Sequence, residues 1–161
     1  MIESRIQTEP FDPAAELAAL TSASADADAG CGAVASFVGQ VRAGGGVEAL
    51  ELEHYPGRTE AALARIAEAA AARWPLERVR VVHRVGRMGA GEAIVFVGAA
   101  APHRRAALES TAYLIDVLKT QAPFWKKEIG ADFERWVEPT ADDAAAADAW
   151  LAAPKETVSV D

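Results

Sequence analysis

The sequence predicts a single α+β domain, an antiparallel sheet with helices packed on one face. Three observations carry that expectation. From Val47 to Ile129 the hydrophobic pattern changes in the order strand, helix, strand, strand, helix, strand, the split β-α-β order of ferredoxin-like folds. The chain has 161 residues, 51% of them hydrophobic, which suits one domain with a core of its own. No linker, repeat or compositional break interrupts residues 1–161.

Each element has its own signal. Pro13 to Ala25 reads as a short Ala/Leu helix that ends in the turn-like run Ser-Ala-Asp-Ala-Asp-Ala-Gly. Gly32 to Arg42 is β-rich, is expected to be mostly buried, and must extend the sheet. Gly44-Gly45-Gly46 then breaks the chain and reads as a mobile loop. In Val47 to Tyr55, Val47, Ala49, Leu50, Leu52 and His54 are interleaved with Glu48, Glu51 and Glu53, a strand with one wet face. Pro56-Gly57 ends that strand, and Thr59 can cap a helix. Leu63, Ile66, Ala67, Ala70 and Trp74 share one face of that helix, and Pro75 stops it. Arg78 to Val85 and Ala93 to Ala101 read as strands joined through Gly86, Gly89 and Gly91. Pro102 suits the first turn of a second helix, running to about Gln121, with Leu108, Ala112, Ile115 and Leu118 on its buried stripe. Phe124–Ile129 and Phe133–Val137 are short closing strands. Ala141 to Ala153 is an Ala/Asp helix ending at Pro154, and the residues beyond are expected to be loose.

Composition narrows the function. The longest stretch without a charge, Ala29 to Val41, is too short to span a bilayer. Met1-Ile-Glu-Ser-Arg5 lacks the basic and apolar segments of a secretory signal. The single cysteine, Cys31, excludes an internal disulfide and a multi-Cys zinc site, and three scattered histidines make a poor metal site. These features suit a cytoplasmic protein. A net charge of −8 argues against a nucleic-acid binder. The charge is uneven, however. Residues 101–127 hold Arg104, Arg105, Lys119, Lys126 and Lys127 against Glu109 and Asp116. A basic island in an acidic chain suits a small anion; a solvated face is the plainer reading.

Three stretches could carry chemistry. His103-Arg104-Arg105 follows Pro102 at a helix start, where free N–H groups and the helix dipole favour an anion and Arg offers a bidentate fork. Cations there cost up to about 1 kcal/mol, which favours a functional reason over a tolerated surface. Three of the four lysines lie within the nine residues 119–127. Lysine, unlike arginine, gives up its proton when desolvated, and Pro123, Phe124 and Trp125 offer apolar surroundings. The window is a candidate for acid–base or nucleophilic work, against the plainer reading of lysines facing water. Arg42, beside the triple glycine, is a weaker anion clamp. His54 and His83 read as structural, and the four tryptophans as core or interface anchors.

These stretches, in this order, resemble the catalytic (large) subunit of molybdopterin synthase. The resemblance is carried by Phe37-Val-Gly-Gln-Val-Arg42, Leu52-Glu-His-Tyr-Pro-Gly57, Arg73-Trp-Pro-Leu76, Val82-His-Arg-Val-Gly86, Gly91 to Gly98, His103-Arg104, Leu118 to Lys126 and Arg135-Trp-Val-Glu138. It covers roughly residues 30–138 as the core of the domain, with 139–161 a helical or loose tail. The resemblance implies an α/β hammerhead fold and an enzyme that transfers sulfur to cyclic pyranopterin monophosphate, forming the dithiolene of molybdopterin. It implies a small ubiquitin-like sulfur-carrier subunit with a C-terminal Gly-Gly thiocarboxylate, a homodimer within a heterotetramer, and no metal or cofactor at this step. Carried over residue by residue, Lys119 and Lys126 are catalytic. Gln40, Val41, Arg42, His103, Arg104, Lys127 and Glu128 bind substrate. Gln40 departs from the family's usual lysine, which leaves Arg42 as the surer ligand at that strand end.

Two other readings compete. Ferredoxin-like folds often bind RNA, but the −8 charge and the lack of an aromatic RNA-binding strand motif oppose that. A non-catalytic scaffold that only docks a ubiquitin-like carrier draws slight support from Gln40.

Overall fold

The computed structural model describes residues 1–22 and 30–152. Along the chain run β1 (Ile2–Gln7), α1 (Pro13–Ser22), β2 (Ala33–Gln40), β3 (Val47–His54), α2 (Arg58–Arg73), β4 (Arg78–Arg84), β5 (Gly86–Gly89), β6 (Ala93–Ala101), α3 (Arg104–Gln121), β7 (Phe124–Gly130), β8 (Glu134–Val137) and α4 (Ala141–Ala152). The turn-like run before Gly30 and the end beyond Pro154 lie outside the described residues.

The α+β class holds, and the expected β-α-β-β-α-β order holds with one extra strand, β5, between β4 and β6, but the strands divide between two sheets. One has the order β1-β4-β6-β2, the other β5-β3-β7-β8. The division follows from which strands can afford two buried faces. β4 buries Val79 and Val81 on one face and Val82 on the other, and β6 is buried from Phe96 to Ala101. Such strands belong in the middle of a covered sheet. β3 carries Glu51 and Glu53 on one face and Leu50 and Leu52 on the other, so it goes to a sheet with one wet side. It pairs with β7 in the register Leu52↔Lys126 and His54↔Phe124. A small cluster of Val41, Leu50, Leu52 and Met88, backed by Ile94 and Phe124, seams the two sheets together. Periodicity missed two strands: β1, which pairs in parallel with β4, and the four-residue β5, which pairs with β3.

The helices do not all lie on one face. α2 and α3 cover one side of the first sheet, burying Leu63, Ile66, Ala70, Leu114 and Val117 against Val79, Val81 and Val97. α1 covers the other side, where Leu20 packs with Val82, Phe96 and Ala100. Gly98 makes that approach possible, since a Cβ there would lie 2.5 Å from Leu20 Cδ2. Beside it, the buried Glu16 takes ion pairs from Arg5 and Arg80. Burial raises its pKa, but the two guanidiniums overcome that and hold the carboxyl below its usual range.

Four local expectations are corrected. The buried stripe of α3 is Ala106, Ala107, Ser110, Thr111, Tyr113, Leu114, Val117 and Leu118; of the expected stripe Leu118 is buried and Ile115 half-buried against the core, whereas Leu108 is 61% exposed and Ala112 is exposed. Small and hydroxylic residues sit against the Ala-rich β6, and Ser110 and Thr111 donate to the Ala107 carbonyl at 3.2 and 2.8 Å. β2 is the edge of its sheet and leaves Val34, Phe37 and Val38 more than one-third exposed. Residues 44–47, expected as a loop, form a tight turn: Gly45 and Gly46 have φ of 61° and 77°, which glycine alone adopts freely, and the Val47 N–H donates to the Gly44 carbonyl at 3.1 Å. Thr59 lies inside α2, where its hydroxyl accepts from Tyr55 N–H and donates to the Pro123 carbonyl; Gly57 is the cap, with its N–H on Glu60.

His83 stacks on Phe124 at 4.0 Å where the two sheets meet, and its Nδ1–H donates to the Arg84 carbonyl at 2.8 Å. Burial lowers its pKa from 6.5 to about 4, against the raising effect of that carbonyl. The unfolded chain therefore binds the extra proton between those pH values, and stability falls as pH drops through the window, by at most ~3 kcal/mol. His83→Phe should flatten that slope, measured as urea midpoints at a series of pH values; an unchanged slope would assign the titration elsewhere.

Candidate active site

β7 alternates its side chains between two faces, and this sorts the charged residues 126–128. Lys126 lies in register with Leu52, and Glu128 with Leu50, so both share the face of the seam cluster that holds Val41. Among the described residues Lys126 has no ion pair. Glu128 is paired with Arg135, 2.7 Å away. Lys127 takes the opposite face. It pairs with Glu51 at 2.9 Å and Glu134 at 3.5 Å, and its ammonium lies 5.3 Å from the Trp136 ring centroid. The hydrogen bond it donates to Glu51 raises its pKa.

Lys119 lies in the last turn of α3. Its side chain is 53% exposed, and its Nζ donates to Asp143 Oδ1 at 2.8 Å. Lys119 and Lys126 thus flank the segment 120–125, in which Ala122-Pro123 joins α3 to β7. The apolar surroundings expected for these lysines are not delivered as expected: Phe124 packs inward on His83, and Trp125 is 49% exposed. At Lys119 the geometry offers a fixed cation.

The strand end Gln40-Val41-Arg42 is held by its backbone and by Gln40. Val41 N–H donates to Glu92 O at 2.9 Å, and its carbonyl accepts from Gly91 N–H at 2.8 Å. Gln40 Nε2 donates to the Gly91 carbonyl at 3.1 Å, so this side chain folds back on the 89–92 turn. Val41 is buried and Arg42 exposed. Val41 and Lys126 therefore share the face of the seam cluster, and Arg42 follows Val41 in the chain, exposed.

His103 and Arg104 are not gathered there. His103 is the N-cap of α3, with no side-chain cap bond, and Pro102 stands one residue before it. Arg105 is occupied by Glu109 at 2.7 Å; His103 and Arg104 are exposed. α3 is one unbroken helix of 18 residues, so the backbones of Arg104 and Lys119 are about 22 Å apart. A groove of about 360 Å³ also opens beside the segment 120–125, between Tyr55, Arg58, Arg65 and Trp125. Among the described residues, no group of three or more His, Cys, Asp or Glu is placed to hold a metal, and no helix is long and apolar enough to cross a membrane.

The family model described as "MoaE protein" matches residues 6–121, well over half of the chain. The chain belongs to the MoaE family. A relative named molybdopterin synthase catalytic subunit, from Pseudomonas aeruginosa, is 50% identical over 149 residues, 91% of this chain and 97% of its own. The protein of the same name from Escherichia coli is 51% identical over 122 residues, 74% of this chain and 81% of its own. Among solved structures, a molybdopterin biosynthesis MoaE protein from Burkholderia ambifaria superposes with a TM-score of 0.79 at 48% identity, covering 95% of this chain and all of that one. Molybdopterin synthase from Staphylococcus aureus superposes at 0.74 with 31% identity, covering 83% of this chain and 96% of that one.

For a MoaE-family chain, reading residues 30–138 left out the group nearest Lys119. Asp143 lies in the tail helix α4, and its signal was Thr140-Ala-Asp-Asp143, an acid three residues after an N-cap threonine. Arg58 and Arg65, a helical two turns apart, carried no motif; only folding sets them beside Tyr55 and Trp125. The opposite faces of Lys126 and Lys127 separate their effects. Lys127→Gln should lower the melting temperature by removing an ion-paired strut of the second sheet, while Lys126→Gln should leave it unchanged; scanning fluorimetry of both variants decides. Equal melting temperatures for all three proteins would show that Lys127 braces nothing.

Proposed function

We propose that this MoaE-family chain is the catalytic subunit of a molybdopterin synthase and acts as a sulfurtransferase. Sulfur would come from the C-terminal thiocarboxylate of a small ubiquitin-like carrier and pass to cyclic pyranopterin monophosphate. The observation that supports this most is the pair Lys119 and Lys126 on either side of the α3–β7 connection, the second on the sheet face of the seam cluster that holds Val41, the residue before Arg42. In each transfer a bond forms between the carrier's sulfur and a carbon of the pterin side chain, and a carbon–oxygen bond of that carbon breaks, its oxygen leaving as water or with the phosphate. Water then adds to the acyl carbon, and the acyl–sulfur bond breaks, leaving a carboxylate on the carrier and the sulfur on the pterin. The tetrahedral oxyanion on that path needs fixed positive charge. Lys119 supplies it, and Lys126 shares the role or moves protons. Arg42, His103 and Arg104 suit the phosphate. Lys127 and Glu128 serve the pocket by bracing β7 through their ion pairs.

Arg104 and Lys119 are too far apart to hold one pterin phosphate within one chain. A homodimer resolves this. Leu108, Ala112 and Ile115 form an outward apolar face with Phe37, which is 41% exposed. Ala112 lies midway along α3 between Arg104 and Lys119. A two-fold axis through that face runs two α3 helices antiparallel, and each Lys119 then meets the partner's Arg104 end.

Lys119→Ala should nearly abolish dithiolene formation with a thiocarboxylated carrier, and Lys126→Ala should reduce it severely, with folding kept. Wild-type turnover in Lys119→Ala removes that residue from the mechanism; no dithiolene from the unmutated chain would leave a scaffold that only docks the carrier. Co-expressed Arg104→Ala and Lys119→Ala chains should pair at random, and one intact pocket per mixed dimer should restore about one quarter of wild-type activity. Confirmed mixed dimers with no recovery would place both residues in one chain's pocket.

A further inference from the structure

The helix α4 presents one carboxylate to Lys119, and that carboxylate is held in place by its own backbone. Thr140 caps α4: the Asp143 N–H donates to Thr140 Oγ1 at 3.2 Å, while Asp143 Oδ2 accepts from Thr140 N–H at 3.1 Å and from Thr140 Oγ1 at 2.8 Å. This is a reciprocal capping box, and it consumes one carboxylate oxygen. The other, Oδ1, accepts from Lys119 Nζ at 2.8 Å. The Lys119 hydrogen bond, followed by the two from Thr140, lowers the Asp143 pKa to about 2, so the group is a carboxylate at any working pH.

α4 does not depend on this pair for its place. Trp150 packs edge-on against Trp74 and Tyr113, with centroids 5.9 and 6.0 Å away, and Arg73 lies 5.6 Å from its ring. Its indole N–H donates to Asp116 at 2.8 Å, and Arg73 donates to its carbonyl at 2.6 Å. An ion pair as exposed as Lys119–Asp143 adds little to stability. Its consequence is geometric. A lysine ammonium on a four-carbon stem has many rotamers, and one rigid acceptor removes most of them. Two of its three N–H groups stay free for an oxyanion.

We propose that Asp143 is a positioning residue for the sulfur-transfer step, holding the Lys119 ammonium where the acyl oxyanion forms. This rests on the catalytic reading of Lys119 given above. The transition state then meets a charge already in place, without the cost of ordering a mobile side chain.

The test uses the full chain assembled with its thiocarboxylated carrier. Asp143→Asn keeps an oxygen for the capping box and removes the charge facing Lys119. Its kcat should fall about tenfold while KM for the pterin stays within about twofold, the pattern of an interaction lost in the transition state. Asp142→Asn, one residue away with no lysine partner among the described residues, should change neither. The melting temperature should stay level in both. Independently of turnover, acylation of Lys119 by an amine-reactive reagent, read by peptide mass spectrometry against Lys126, should rise about threefold in Asp143→Asn as the restraint goes. A wild-type kcat in Asp143→Asn overturns the proposal, as does an increased kcat, which would make α4 an obstruction. If the unmutated chain forms no dithiolene, the functional reading fails by itself. The labelling then decides whether Asp143 holds Lys119, and unchanged labelling rejects that too.

Discussion

Along α3 the residues facing the first sheet are Ala106, Ala107, Ser110, Thr111, Leu114 and Val117, none larger than leucine. They meet Val97 and Ala101 of β6, both fully buried. This small-against-small contact lets helix and sheet approach closely, with each buried hydroxyl satisfied by a carbonyl of its own helix. The α3 half of the candidate site is set by it. The contact decides the rotation of α3, and so turns Leu108 and Ala112 outward. The helix runs unbroken over 18 residues, and so puts Arg104 and Lys119 near opposite ends. It also delivers Lys119 to the turn where β7 begins.

The second sheet depends on a different constraint. β3 has glutamates on one face and leucines on the other, so it can be covered on one side only. Its covered side joins Val41, Met88 and Phe124, and this places the end of β2 next to the β7 face that carries Lys126. The wet side is occupied by charge. Glu51 and Glu134 both pair with Lys127 there, with Trp136 beneath the ammonium. Two neighbouring lysines with the same residue type therefore have different surroundings, one over the seam and one in an ion-paired brace.

Much of the fold was legible because its signals are local. The alternation of Glu48, Glu51 and Glu53, the stripe Leu63–Ile66–Ala70–Trp74 and the break at Pro102 each mark their element within a few residues of the observed bounds. β1 and β5 were not legible. The first is held by a parallel partner more than seventy residues away, and the second is too short for periodicity to register. The stripe of α3 was partly misplaced because hydrophobicity alone ranks Leu108 above Ser110 and Thr111. A close-packed sheet ranks by size instead.

Residue identity by itself determined the candidate chemistry: lysines at 119 and 126, a basic pair at 103 and 104, arginine at 42, and the resemblance they carry. Side-chain type and order are enough for that, since the available charges and protons belong to the residues. The tertiary structure decided which of them meet. Strand pleat separated Lys127 from Lys126, helix length separated Arg104 from Lys119, and the docking of Trp150 brought Asp143 onto Lys119 from a tail that looked unremarkable in sequence. Distances between residues far apart in the chain are set by packing, and no local pattern records them.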